Sequence, residues 1–386
     1  MSAQLYIGLM SGTSIDGIDA ALVSFESENR LQVIDTQFTE FSPKMRKEID
    51  QTAQNNTALK RNEDSYLHQE LAPIYASAVE RLISKSGLKR SDISGIANHG
   101  QTVKHEPMAK PPYSLQLGDG QTIADLTGIT TYTQFRQADL QAGGQGAPLM
   151  PAFHQALFGS NNLNANIHIV NIGGIANITH LSETITGFDT GPGNVLLDQW
   201  IEQHKAKAYD KNGDWAASGC VDSNLLSNLL SDDYFSLNHH KSTGTDYFNI
   251  AWLETRYQRL GSLKPNDVQA TLTELTTRSI CNELIKLSDS KQKTNVYICG
   301  GGARNKLIMQ KMTQHLTEQL IEEVTVEPSD ALGIPSDWVE AVGFAWLGYC
   351  CANSITSNLP SVTGANSKVV LGQCYQPRKQ ERADTS

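Results

Sequence analysis

The chain of 386 residues has little of what several protein classes require. It carries 31 Lys plus Arg against 41 Asp plus Glu, a formal charge of −10. It therefore lacks the clustered positive charge with which proteins neutralise nucleic-acid phosphates. Its six cysteines, Cys220, Cys281, Cys299, Cys350, Cys351 and Cys374, form no C-x-x-C pair and no metal-spaced set with histidine. That excludes a disulfide scaffold and reads as free thiols. Nowhere do 18 apolar residues run uninterrupted, and the opening Met-Ser-Ala-Gln-Leu-Tyr has no basic n-region. The expectation is a cytoplasmic protein with neither a membrane nor a nucleic acid as partner. No G-x-x-x-x-G-K-[ST] occurs, which excludes the P-loop class, and no strand, G-x-G-x-x-G, helix unit with a following acidic residue supports a dinucleotide fold.

What is present suits a globular protein of about two domains. Hydrophobic residues make up 39% and charged residues 19%. Short β-runs at 5–11, 18–25 and 31–38 are followed by helical stretches near 43–58 and 66–87 and a strand at 93–98 that ends on Asn98-His99-Gly100. The pattern then returns with strands at 167–171, 175–181 and 184–188, helices near 249–260 and 265–288, a strand at 295–299, a helix near 303–316, a strand at 323–327 and a helix near 337–352. This alternation predicts an α/β protein of two similar lobes. The expected division is 1–130 for the first lobe, with part of 355–386 as a candidate completion, 131–354 for the second, and a frayed tail at 376–386.

Three glycine-bearing turns, Gly12 to Gly17, Gly173-Gly174 and Gly300 to Gly302, each directly follow an apolar strand. Such a turn is either a plain connection or an anion site, because glycine lets backbone N–H groups approach phosphate oxygens closely. Three of them in two copies of one strand pattern favour nucleotide phosphate. Duplicated lobes with phosphate-gripping turns point toward the actin, sugar kinase and heat-shock chaperone superfamily, with ribonuclease H-like mixed sheets flanked by helices and ATP in the cleft between the lobes.

Longer blocks are more specific. Tyr6-Ile7-Gly8-Leu9-Met10-Ser11-Gly12-Thr13-Ser14-Ile15-Asp16-Gly17-Ile18-Asp19 closely resembles the opening of the anhydro-N-acetylmuramic acid kinases, a branch of that superfamily. The resemblance continues through Asn98-His99-Gly100-Gln101-Thr102, Phe135-Arg136, Ala142 to Leu149, Asn171 to Gly174, Gly187 to Asn194, Lys241 to Gly244, Gly300 to Asn305 and Trp338 to Ala341. One departure is visible: the family pattern continues Arg-Glu after Lys241-Ser242-Thr243-Gly244, and this chain has Thr245-Asp246. That loop is left without an assigned role.

The resemblance implies a reaction in which ATP phosphorylates O6 of 1,6-anhydro-N-acetylmuramic acid while water opens the anhydro bridge, giving N-acetylmuramic acid 6-phosphate in peptidoglycan recycling. Because O6 is an ether oxygen, the proton to be removed is that of the water, so a carboxylate beside the anomeric carbon is required. The resemblance puts that base at Asp189; spacing alone allows equally that Asp189 caps the helix beginning near Pro192. Arg136 is the expected partner of the substrate's lactyl carboxylate, with Glu340 and His99 as further sugar contacts. The ATP contacts expected are Gly12, Thr13, Ser14, Ile15, Asp16, Gly17, Ile18, Asp19, Gly173, Gly174, Gly300, Gly301, Gly302 and Asn305. Asp16 is the expected contact to Mg2+ through water, while Asp19 either joins it or braces the turn. The resemblance also implies a homodimer. Two alternatives stand beside this reading: another sugar or acid kinase of the superfamily, or a nucleotide-switched binding protein.

Overall fold

The computed structural model describes residues 3–12, 14–54, 61, 65–159, 165–237 and 241–378. The chain divides into two compact units, one of Met1–Leu157 with Glu340–Ser386 and one of Phe158–Val339.

In the first unit, β1 (Gln4–Ser11), β2 (Gly17–Ser27) and β3 (Arg30–Glu40) form an antiparallel meander, and β4 (Ile93–Glu106) lies beside β1 in parallel. The second half of β4 pairs with β5 (Tyr113–Leu117) in antiparallel. β6 (Thr131–Thr133) runs parallel to β4, and β12 (Gln373–Tyr375) closes that edge on β6. The strand β1 is buried from Tyr6 to Ser11 without alternation, the pattern of a strand covered on both faces. The helix Leu67–Lys85 supplies part of that cover through Leu71, Tyr75, Val79 and Leu82, spaced three to four apart as one helical stripe requires. The helix Val339–Ala352 is almost wholly apolar and reaches β1 at Gly8. A Cβ there would overlap the Ala341 carbonyl and lie 2.5 Å from the Ala345 nitrogen.

The second unit repeats the strand order. Here β7 (Ala165–Ile172), β8 (Ile175–Leu181) and β9 (Thr186–Pro192) form the meander, β10 (Lys293–Cys299) lies parallel to β7, and β11 (Val324–Pro328) lies parallel to β10. Both sheets thus read third, second, first, fourth, fifth strand of their unit, with β6 taking the fifth place in the first. The helix Pro265–Leu287 packs on β8 and β9, its Leu272, Leu275, Ile280 and Leu284 meeting Val170, Ile178 and Phe188 in one core.

The α/β architecture and its duplication are as expected, whereas several boundaries lie elsewhere. Residues 131–157 and 340–354, expected in the second lobe, belong to the first unit, because β6 completes the first sheet and the helix Val339–Ala352 covers β1. Strand β4 continues through Gly100 to Glu106 instead of ending at Asn98, and β9 runs on through Asp189 to Pro192. The glycines at 301–302 begin a single 3-10 turn, Gly301–Arg304, and the helix proper is Lys306–Gln319. At the C-terminus, Gln376 and Arg378 are tied to the helix Gly120–Thr127 through Gln121 and Asp125; the rest of the expected tail, 379–386, lies outside the described residues, as do 55–58 of the first expected helix. All six cysteines are free. Among the described residues no helix is long and apolar enough to cross a membrane.

The contact at Gly8 gives a direct test. Because the clash is with helix backbone, Gly8→Ala is expected to lower stability by about 1–3 kcal/mol or more, read as a reduced denaturation midpoint. A variant as stable as the parent would show that the helix does not seat on β1 as described.

Candidate active site

In the first unit the structure brings together His99, Arg136 and Glu340. His99 is buried in β4, Arg136 precedes the short helix Gln137–Gln141, and Glu340 lies in the first turn of Val339–Ala352. Arg136 donates from Nη2 to His99 Nε2 at 2.9 Å and from Nη1 to the Gly146 carbonyl at 2.8 Å. A guanidinium can only donate, so Nε2 is the acceptor and the imidazole is neutral. Burial and the arginine charge hold His99 well below its ordinary pKa, and its ring lies against Phe344 with centroids 4.5 Å apart. Burial pushes the Glu340 carboxyl up while Arg136 pulls it back. Burial lowers Arg136 to about 10, with Glu340 opposing the shift. The arginine is thus a desolvated, oriented cation rather than a solvated surface charge. Two of its five N–H donors are engaged by protein, Nε has no partner, and the remaining donors suffice for a two-pronged bond to a carboxylate.

The first glycine turn stands beside this cluster. Thr13 lies outside the described residues. Ser14 Oγ donates to Asp16 Oδ1 at 2.8 Å, the Ile15 N–H to the Gly12 carbonyl at 3.2 Å, and Gln101, two residues after His99, reaches the same carbonyl at 3.2 Å. Arg46 holds the Asp16 carbonyl at 3.0 Å and leaves its carboxylate exposed. Gly17, Ile18 and Asp19 are already strand: Asp19 sits in β2 opposite Met10 and Phe38, outside the turn in which it was expected.

In the second unit, the turn Gly173-Gly174 lends its carbonyls to the start of the helix Val195–Lys205: Asn194 N–H bonds Gly173 O at 2.8 Å, and Gly193 and Val195 bond Gly174 O at 2.9 and 3.1 Å. Gly300 and Gly302 press on the end of β7, where a Cβ at Gly300 would lie 2.8 Å from the Ile172 carbonyl and one at Gly302 would overlap the Ile172 side chain. These two glycines are required by packing. Gly12, Gly173, Gly174 and Gly301 differ, since a Cβ at each meets nothing nearer than 3.6 Å and none has positive φ. Asn305 is an N-cap, its Oδ1 accepting from Leu307 and Ile308 N–H at 3.1 and 3.2 Å.

Asp189 does not touch the helix that follows it. Its Oδ2 accepts from the Thr243 N–H at 3.0 Å and from Ser242 Oγ at 3.1 Å, which removes the capping alternative. Burial pushes its carboxyl above the usual carboxylate range, the bonds from Thr243 and Ser242 opposing.

Comparison with known proteins adds the family. The sequence profile of the anhydro-N-acetylmuramic acid kinases matches residues 4–377. The chain is 44% identical over 376 residues to the anhydro-N-acetylmuramic acid kinase of Pasteurella multocida, covering 97% of each chain. It is 44% identical to that of Shewanella loihica over 97% of this chain and 99% of the other, and 43% identical to that of Xylella fastidiosa over 97% and 96%. The chain belongs to the anhydro-N-acetylmuramic acid kinase family.

Two features of this anhydro-N-acetylmuramic acid kinase family member escaped the sequence reading. Asp139, fully buried, accepts from Gly146 N–H, Asn358 Nδ2 and Thr363 Oγ1, all at 2.8 Å, and so fixes the loop that orients Arg136. The loop Lys241 to Gly244 holds Asp189 and is tethered by a buried ion pair, Lys241 Nζ to Glu283 Oε1 at 2.9 Å. The departure Thr245-Asp246 falls after the residues that touch Asp189. A charged residue among the apolar residues Ile280, Cys281, Leu284 and Ile285 was the available signal, since a buried Glu283 demands a counter-charge.

The contrast among glycines is testable by melting alone. Gly173→Ala is expected to leave the protein as stable as the parent, or about 0.4–1 kcal/mol more so, whereas Gly302→Ala is expected to cost about 1–3 kcal/mol. Equal losses at the two positions would remove the distinction between open and packed glycines.

Proposed function

We propose that this protein phosphorylates 1,6-anhydro-N-acetylmuramic acid at O6 with ATP while hydrolysing its anhydro bridge, and that Asp189 is the base. The observation that carries the reading is Asp189 itself: a half-buried carboxylate with one oxygen held by two donors, a raised pKa and no capping duty. Membership of the family supports the substrate.

Asp189 takes a proton from water as the water oxygen bonds C1. The C1–O6 bond breaks, O6 bonds the γ-phosphorus, ADP leaves, and the proton passes from Asp189 to solvent. Arg136 binds the lactyl carboxylate through its unengaged N–H groups, with neutral His99 holding the guanidinium plane. Glu340 balances the buried arginine and lines the sugar site. The turns at Gly12, Gly173 and Gly301 receive the phosphates of ATP. Glycine at a site where the fold itself would accept a Cβ supports close approach by a ligand. Asp16, exposed at the first turn with one oxygen already bonded to Ser14, suits a magnesium ion that keeps most of its water and supplies charge neutralisation at the phosphates. The ion and a homodimeric state enter this reading as expectations from the family, and a cytoplasmic location as an expectation from the sequence.

Arg136→Ala is expected to raise the KM for the anhydro sugar roughly 10- to 100-fold, the loss of a charge-assisted bond, with ATP affinity nearly unchanged. Equal losses against sugars with and without the lactyl group would show that Arg136 does not read that carboxylate. Asp189→Asn is expected to lower kcat by about 10²–10⁴-fold with both substrates still bound. ADP and N-acetylmuramic acid 6-phosphate should vanish together, because O6 accepts the phosphoryl group only as the bridge opens. Near-parent product formation by a folded Asp189→Asn protein would remove Asp189 as the base.

A further inference from the structure

We propose that Lys241–Thr243 is a positioning loop for Asp189, fixing Oδ2 of the carboxylate so that Oδ1 is the oxygen presented to the attacking water. The inference rests on the reading of Asp189 as the base and concerns how that base is held.

The torsion that turns a carboxylate about its Cβ–Cγ bond is broad, so an unrestrained aspartate would offer either oxygen in many directions. Here one backbone and one side-chain donor reach the same oxygen, Thr243 N–H at 3.0 Å and Ser242 Oγ at 3.1 Å. The backbone of Asp189 is held by the same loop and its neighbour: its N–H donates to the Lys241 carbonyl at 3.1 Å, and the Tyr234 hydroxyl donates to its carbonyl at 2.7 Å. The loop itself is exposed at Ser242 yet anchored at Lys241, whose ammonium is buried against Glu283 and lies 5.1 Å from the Tyr234 ring centroid. Burying an ammonium is costly unless it is well paired, and removing Glu283 would strand the Lys241 ammonium. This pair therefore resists loosening of the loop.

Among the described residues, the charged and titratable groups on the elements around the loop include Tyr234, Lys241, Glu283 and Lys286, with Asp232, Asp233, Asp246, Tyr247 and Cys281 on the same elements or next to them in the chain. Lys286 also bonds Glu283, at 3.1 Å, so the two lysines share one carboxylate. The groups that act on Asp189 directly are the two donors, and a hydrogen bond to the ionised form holds a carboxyl pKa down.

Ser242→Ala removes one donor and keeps the backbone donor of Thr243. The acid limb of the pH profile of kcat/KM is then expected to move upward by about half to one pH unit, and Ser242→Thr, which restores a hydroxyl, is expected to return it. A second readout needs no turnover: carbon-13 NMR titration of aspartate-labelled protein, with the Asp189 carboxyl identified as the resonance missing from Asp189→Asn. An upward shift of both the NMR midpoint and the rate limb supports the inference. An unmoved NMR midpoint in Ser242→Ala overturns it, whatever the activity. A moved midpoint with an unmoved rate limb supports the positioning role and instead overturns Asp189 as the base. Lys241→Met tests the anchor, with kcat expected to fall roughly tenfold or more from misorientation and the sugar KM little changed. Parent kcat in a folded Lys241→Met protein overturns the anchoring half of the inference.

Discussion

The parallel pairing of the first and fourth strands in each sheet is the constraint on which the candidate site depends. Parallel neighbours end at the same edge of a sheet, so the loops that leave them are brought side by side. In the first unit, Leu9 is in register with Asn98 and Ser11 with Gln101. The turn beginning at Gly12 therefore opens next to His99, and Gln101 can bond the Gly12 carbonyl. In the second unit, Asn171 is in register with Cys299, which sets Gly173-Gly174 beside Gly300 to Gly302. Ligand sites in open α/β sheets commonly gather at such carboxyl ends, and this chain builds the same edge twice from one strand order.

A sheet edge supplies backbone groups but does not orient long side chains, and in both units buried carboxylates do that. Asp139 receives three hydrogen bonds and fixes the loop holding the Gly146 carbonyl against Arg136. Glu283 receives Lys241 and fixes the loop that holds Asp189. Glu274 does comparable work on the same helix, bonding Arg278, Lys311 and His315, and with Lys311 and Arg278 as donors its carboxyl falls to about 2 despite burial. Such groups are poor contributors to net stability because desolvation offsets most of their attraction. Their contribution here is geometric: a buried charge accepts few arrangements of its partners.

The repeat was legible because each copy carries its own local signals. Strands of five to eight apolar residues end on glycine turns, and the helix Pro265–Leu287 begins with proline at its first position. The short strands β5, β6 and β12 were not legible, being three to five residues long and dependent on partners distant in sequence. The division of the chain was misjudged for the same reason. The helix Val339–Ala352 is apolar nearly all round, which announces burial without saying against what, and its seat is a glycine at position 8. Among candidate site residues, the glycine turns and Asp189 stood out by type and position. Lys241 did not, because a lysine in a Ser-Thr-Gly stretch reads as solvated and its partner lies 42 positions away on a helix.

The neighbours of Asp189 and Glu340 also explain why two half-buried carboxylates with raised pKa values are suited to different tasks. Burial raises both. Glu340 has Arg136 as its opposing charge, and that arginine is itself desolvated enough to fall to about 10. A proton placed on Glu340 would take the counter-charge from a buried guanidinium, so Arg136 favours the ionised form against the burial that raises this carboxyl. Among the described residues no cation is set against Asp189; the groups opposing its burial are two hydrogen-bond donors, both on Oδ2. Protonation at Oδ1 leaves those bonds in place and strands no charge. A base must be comfortable in both of its protonation states, and of the two carboxylates only Asp189 has surroundings that accept both.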